Sequence, residues 1–96
     1  MIGKFVIVRT ERAGVHCGYL VETSSDGTCV RLRESRNVWR WRGANSLREL
    51  SLHGADMDQY TRITESIDNH IIPRVIEIIE CTAKAEANLK VSRWMN

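Results

Sequence analysis

Asp26-Gly27 sits between two runs of strand-forming residues, and this pair constrains the fold more than any other feature of the chain. Glycine accepts the positive φ that a tight turn needs, and Asp-Gly favours short hairpins. Upstream, Val15 to Thr23 carries Tyr19, Leu20 and Val21. Downstream, Thr28 to Arg33 alternates, with Val30 and Leu32 on one side and Cys29, Arg31 and Arg33 on the other. That period of two belongs to a strand. The rhythm returns in Asn37 to Arg42, after a short connection at Glu34-Ser35-Arg36. A first strand, Lys4 to Thr10, precedes the turn Glu11-Arg12-Ala13-Gly14. The first half therefore predicts a meander of about four antiparallel strands. Gly18 inside the second of them predicts a bulge or the close approach of another group.

The second half changes character. Gly43 ends the meander, and Asn45 or Ser46 can cap a short helix with Glu49 in its first turn and Gly54 as its stop. Asp56 to Tyr60 reads as polar loop, Arg62 to Asp68 as a weak strand and Asn69-His70 as loop. Pro73 precedes a strong strand, Val75 to Ile79. Thr82 caps a second short helix, rich in alanine, that runs through Leu89. Trp94 is expected to fold back as an anchor. Together these elements predict one domain over residues 1–96: a small α+β fold with a curved antiparallel sheet of about four to six strands and two short helices.

At 96 residues the chain has room for one core and no second domain. No apolar run approaches the ~18–20 residues of a membrane span, so no membrane partner is expected. Met1-Ile2-Gly3-Lys4 shows no secretory pattern, and Gly3 is one place too late for myristoylation. Three cysteines at irregular spacing predict reduced thiols in a cytosol.

The formal charge of +2 hides an asymmetry: residues 31–48 carry +5 and the remainder −3. Every basic residue in that window is arginine, whose planar fork suits phosphate and stacks on aromatic faces. A solvated sheet face is the plain alternative.

Trp39-Arg40-Trp41-Arg42 is the most informative stretch. In an unbroken strand the two indoles share one face and the two guanidiniums the other. Exposed indoles stack bases, whereas buried ones fill a core, and the sequence leaves both open. The turn from Arg12 through Gly14 to His16 adds an arginine, a histidine and backbone N–H groups able to cradle an anion. His16 beside Cys17 suggests a Cys–His pair, but strand neighbours point to opposite faces, so Cys17 reads as a small packing residue. His53, His70 and Cys81 match no metal spacing. No phosphate-loop or nucleophile motif is present, no carboxylate pair stands out, and no cofactor is expected.

Ala13-Gly14-Val15-His16-Cys17-Gly18, Trp39-Arg40-Trp41-Arg42-Gly43-Ala44-Asn45-Ser46-Leu47-Arg48-Glu49-Leu50 and Ile76-Glu77-Ile78-Ile79-Glu80-Cys81-Thr82 together resemble a family of short phage and prophage proteins of unknown function. The shared patterns have the form A-G-V-x-x-G, W-x-W-x-G-A-x-x-L-x-x-L and E-I-I-x-C-T. Arg40 departs from the aromatic or apolar residue expected at its position. The resemblance implies a phage accessory protein acting in the bacterial cytoplasm. Small phage proteins of this size include inhibitors of host immunity, one class of which sequesters cyclic nucleotide signals.

The resulting expectation is a non-catalytic, homo-oligomeric protein that binds an anionic nucleotide-like ligand, such as a cyclic nucleotide, through Arg12, Gly14, His16, Trp39, Arg40, Trp41 and Arg42. The alternative is a nucleic-acid- or protein-binding regulator that uses an Arg31/Arg33/Arg40/Arg42 face. A third reading makes the indoles a subunit interface.

Overall fold

Phe5-Val6-Ile7-Val8 is an unbroken apolar run, and all four residues are buried. Such a run belongs to a strand covered on both faces. It forms most of β1 (Phe5–Thr10), which lies between β2 (Val15–Thr23) and β6 (Val75–Glu80), antiparallel to each. Phe5 and Ile7 enter one apolar cluster, with Cys17, Val38, Ile63, Leu50 and Leu89. Val6 and Val8 enter a second, with Leu20, Val30, Leu32, Ile72 and Val75.

The computed structural model describes residues 1–93. Within them, six antiparallel strands and two short helices form a small α+β fold. The expected Trp94 anchor lies outside the described residues.

The hairpin forms where Asp-Gly placed it. The Asp26 carboxylate accepts from the Ser24 hydroxyl and from the Thr28 backbone N–H and hydroxyl. The Thr28 amide and these hydroxyls pull its pKa down to about 2. Gly27 takes φ 78°.

The meander has three strands, not four. Residues 30–40 are one continuous strand, β3 (Val30–Arg40), and Glu34-Ser35-Arg36 is part of it rather than a connection. Tyr19 pairs with Arg33 and Cys17 with Arg36, so Gly18 alone faces Glu34 and Ser35. This is a β-bulge, and Glu34 accommodates it at φ 53°. A Cβ on Gly18 would stand 2.9 Å from the Arg33 carbonyl oxygen, so the close approach expected there is real. The extra residue lets one strand bend where the sequence suggested two.

The weak strand at 62–68 shortens to β4 (Arg62–Ile63) plus a single bridge between Ser35 and Ile67. His70, expected in a loop, opens a further strand, β5 (His70–Ile72). β5 pairs with the start of β3, while β6 pairs with β1 at the far end of the sheet. Pro73-Arg74 joins them, pinned by Glu11 N–H to the Arg74 carbonyl and Val75 N–H to the Thr28 carbonyl. This corner carries Ile72 and Val75 over the second cluster, so the sheet's own curl encloses it.

Helices cover the other face. α1 (Leu47–His53) is capped by Ser46, whose hydroxyl accepts from Glu49 N–H, and stops at Gly54 with φ 80°. α2 (Ala83–Leu89) is capped by Thr82, whose hydroxyl accepts from Ala85 N–H. Leu50 and Leu89 are fully buried against the first cluster. No helix among the described residues is long and apolar enough to cross a membrane.

Candidate functional site

A second irregularity shapes the end of β3. Val38 pairs with Ile63 and Arg40 with Arg62, which leaves Trp39 as an extra residue in the ladder. One extra residue inverts the alternation beyond it. Val38 and Trp41 therefore pack on the same cluster although they are three positions apart. The Trp41 indole N–H donates to the Ala44 carbonyl at 3.2 Å. Trp39 instead lies on the surface, 56% exposed. The expectation that the two indoles share one face is thereby corrected: Trp41 serves the core and Trp39 does not.

Arg40 and Arg42 converge on a ring the sequence did not single out. The Arg40 guanidinium lies 4.9 Å from the Trp39 ring centre and 4.7 Å from that of Tyr60. Arg42 lies 4.5 Å from the same Tyr60 centre. Arg40 Nε also donates to the Tyr60 carbonyl, which fixes the guanidinium in place. The result is a surface array of indole, guanidinium, phenol and guanidinium. Each such cation–π contact contributes about 0.5–1 kcal/mol at an exposed site.

The charge here is one-sided. Arg40 and Arg62 are direct cross-strand partners, a like-charge pairing that strands normally avoid. Arg42 adds a third guanidinium and is paired to Asp58 at 3.5 Å. Asp58 is fixed first by Thr61 N–H and also by Tyr60 N–H, and with Arg42 these hold its carboxyl below the usual range. Asp58 thus meets Arg42 and two amides, while Arg40 donates to the Tyr60 carbonyl and Arg62 to the Gln59 and Thr61 carbonyls.

The other predicted residues lie elsewhere. Arg12 pairs with Glu11 at 3.7 Å and lines a shallow depression with Ala13, Pro73 and Arg74. Gly14 takes φ 88°, and its carbonyl accepts from Thr10 N–H and hydroxyl. His16 is buried, donates from Nε2 to the Ala13 carbonyl at 2.8 Å and meets the His70 ring edge-on at 5.1 Å. Burial, followed by the neighbouring His70, lowers its pKa against the opposing Ala13 hydrogen bond. Cys17 points into the first cluster, where burial pushes its thiol up to about 12. Arg31 pairs with Glu22 at 2.6 Å and Arg33 with Glu34 at 2.8 Å. Of the seven predicted contacts, the structure brings together Trp39, Arg40 and Arg42.

Tyr60, Asp58 and Arg62 complete this group and were missed. Asp58 and Tyr60 lie in a loop with no periodicity, Arg62 opens the two-residue β4, and the one signal was the aromatic Tyr60 beside Asp58 and Gln59. Among the described residues, no group of three or more His, Cys, Asp or Glu side chains could hold a metal ion.

Fold and site thus define a small α+β protein with an arginine–aromatic array at the edge of its sheet. Residues 3–89 match the model of the family described as Domain of unknown function (DUF6948), and the chain belongs to that family. No curated protein and no solved structure was found to match it.

Proposed function

We propose that this protein binds an anionic, nucleotide-like ligand without transforming it, and that the array of Trp39, Arg40, Tyr60 and Arg42 is the binding face. The observation that carries this reading is the convergence of Arg40 and Arg42 on exposed aromatic rings beside the cross-strand Arg40–Arg62 pair. Aromatic faces stack a base, at roughly 1–3 kcal/mol each. Guanidiniums hold phosphate, and a bound anion offsets the repulsion between them. Sequestration fits better than catalysis, because the one histidine–thiol neighbour pair is split between opposite faces of β2 and its thiol is held protonated. In the setting suggested by the phage-like motifs, the role is counter-defence in the cytoplasm of a bacterial host, by removal of a nucleotide signal.

The wider Arg31/Arg33/Arg40/Arg42 face is a weaker support for long nucleic acid, since Arg31 and Arg33 are already engaged by Glu22 and Glu34. We further propose a homo-oligomer joined through β6, which ends the sheet order and exposes Ile76. Light scattering at high micromolar concentration tests this, and a monomer there contradicts it. The ligand reading is tested by binding of nucleoside phosphates at low and high salt. A steep salt slope with additive losses across the arginines would point to long nucleic acid instead.

A further inference from the structure

Among the described residues, β6 is the longest strand at a margin of the sheet, with six residues against two in β4 and three in β5. An edge of that length offers a row of backbone groups to another strand unless charge, proline or a covering element blunts it. Neither proline nor lysine lies within Val75–Glu80, and Glu77 is paired with Arg9 at 3.4 Å.

The β1 register fixes which groups face outward. Cys81 N–H donates to the Phe5 carbonyl at 2.9 Å, and from there the ladder runs Val6–Glu80, Ile7–Ile79, Val8–Ile78 and Arg9–Glu77. Hydrogen-bonded and non-hydrogen-bonded pairs alternate along an antiparallel ladder. Ile79 and Glu77 therefore turn their N–H and C=O toward β1, and Ile78 and Glu80 turn theirs away. No partner meets these outward groups among the described residues. The open stretch begins beyond Ile76, because Val75 N–H bonds the Thr28 carbonyl and Ile76 falls at the bulge between Val75 and Glu77.

We propose that β6 adds to β6 of a second copy, antiparallel, about a two-fold axis at Ile79. This rests on the homo-oligomer reading and deepens it by naming the partner strand and its register. An axis at Ile79 pairs Ile78 with Glu80 of the second copy, and the reverse, so every outward group of both copies finds a partner. An axis at Ile78 would pair Glu80 with the bulged Ile76. An axis at Glu77 or Glu80 would set like charges face to face, which strands avoid. At Ile79 no glutamate opposes another: Glu80 meets Ile78, and Glu77 meets Cys81. The two Ile79 side chains take a non-hydrogen-bonded position, where paired side chains approach most closely. Exposed Ile76 comes level with Thr82 of the second copy, whose hydroxyl holds the carbonyl of Leu52, another exposed apolar residue.

Sedimentation of the full chain at low and high micromolar concentration reads the association. A parent that stays monomeric overturns the homo-oligomer reading and this pairing together. Cross-linking reads the register. Ile79→Cys and Ile78→Cys are compared under mild oxidation, both carrying Cys29→Ser, while Cys17 and Cys81 stay unreactive because burial pushes both thiols up to about 12. Ile79→Cys forms a disulfide-linked dimer, since Cα atoms paired at a non-hydrogen-bonded site lie within reach of a disulfide. Ile78→Cys does not, because Ile78 faces Glu80. Ile78→Pro removes an outward N–H, leaves β1 its bonds to β6, and weakens association by about tenfold or more. Two results overturn the pairing while a dimeric parent keeps the homo-oligomer reading. One is that Ile78→Cys cross-links as fast as Ile79→Cys. The other is that Ile78→Pro folds and associates as tightly as the parent.

Discussion

Arg40 stands directly across from Arg62 in the β3–β4 ladder, two like charges in register at the edge of the sheet. Opposed like charges are destabilising, and the Asp58 carboxylate sits on Arg42. An anion bound there, as proposed, would relieve that repulsion.

The first prediction follows from that pair. Arg62→Glu creates an opposite-charge pair and should stabilise the unliganded protein by roughly 0.2–1 kcal/mol at low salt. It should also weaken binding of any phosphate compound. Urea unfolding at low and high salt measures the first effect, which should shrink as salt rises. A loss of stability at low salt would show that the Arg62 hydrogen bonds to Gln59 and Thr61 outweigh the repulsion.

The second concerns the indoles. Trp41 is half-buried on the first cluster, so Trp41→Ala should cost roughly 2–3 kcal/mol, below the range for a fully buried tryptophan. Trp39→Ala, at the exposed end of the array, should cost distinctly less. Denaturant midpoints of the two variants decide the matter, and equal losses would place both indoles in the core.

The hairpin, both helix caps and the Gly18 close approach were legible because each is local: Asp26-Gly27, Ser46, Thr82 and Gly18 act within a few residues or mark their own site. The indole faces were not. Period-two counting holds only along an unbroken register, and β3 is interrupted twice, at Glu34-Ser35 and at Trp39. The first interruption is marked only on the partner strand, by Gly18, and the second has no mark in the sequence. β5 was hidden by its length of three residues and by the Pro73 corner that follows it. Tyr60 was hidden because a loop has no period, and what gives it a role is the approach of Arg40 and Arg42 from another element.

The third prediction is a pH dependence. The folded pKa of His16 is lowered below 6.5, chiefly by burial. The unfolded chain therefore takes up the proton first as pH falls. The stability associated with neutral His16 is complete above 6.5 and is lost as pH drops from there toward the lower folded value. Melting temperatures between pH 8 and pH 5 should fall less steeply for His16→Gln than for the parent. An unchanged slope would mean that His16 titrates as it does in the unfolded chain.

Thiol reactivity supplies the fourth. Cys17 is fully buried, with burial and then Cys81 pushing its pKa to about 12, and burial raises Cys81 similarly. Alkylation of the native protein at pH 8, followed by mass spectrometry, should label Cys29 well before Cys17. Since the thiolate is the reacting form, early labelling of Cys17 would contradict its placement in the core.

Trp39, Arg40, Tyr60 and Arg42 are the proposed face on which a nucleotide-like ligand stacks. Calorimetry of the parent and of Trp39→Ala against a panel of cyclic and linear nucleoside phosphates tests it most directly. At least one member should bind the parent with a shallow salt dependence. Trp39→Ala should weaken that member by roughly 1–3 kcal/mol while remaining folded. A panel that binds the parent no better than inorganic phosphate, or binds Trp39→Ala equally well, would contradict it.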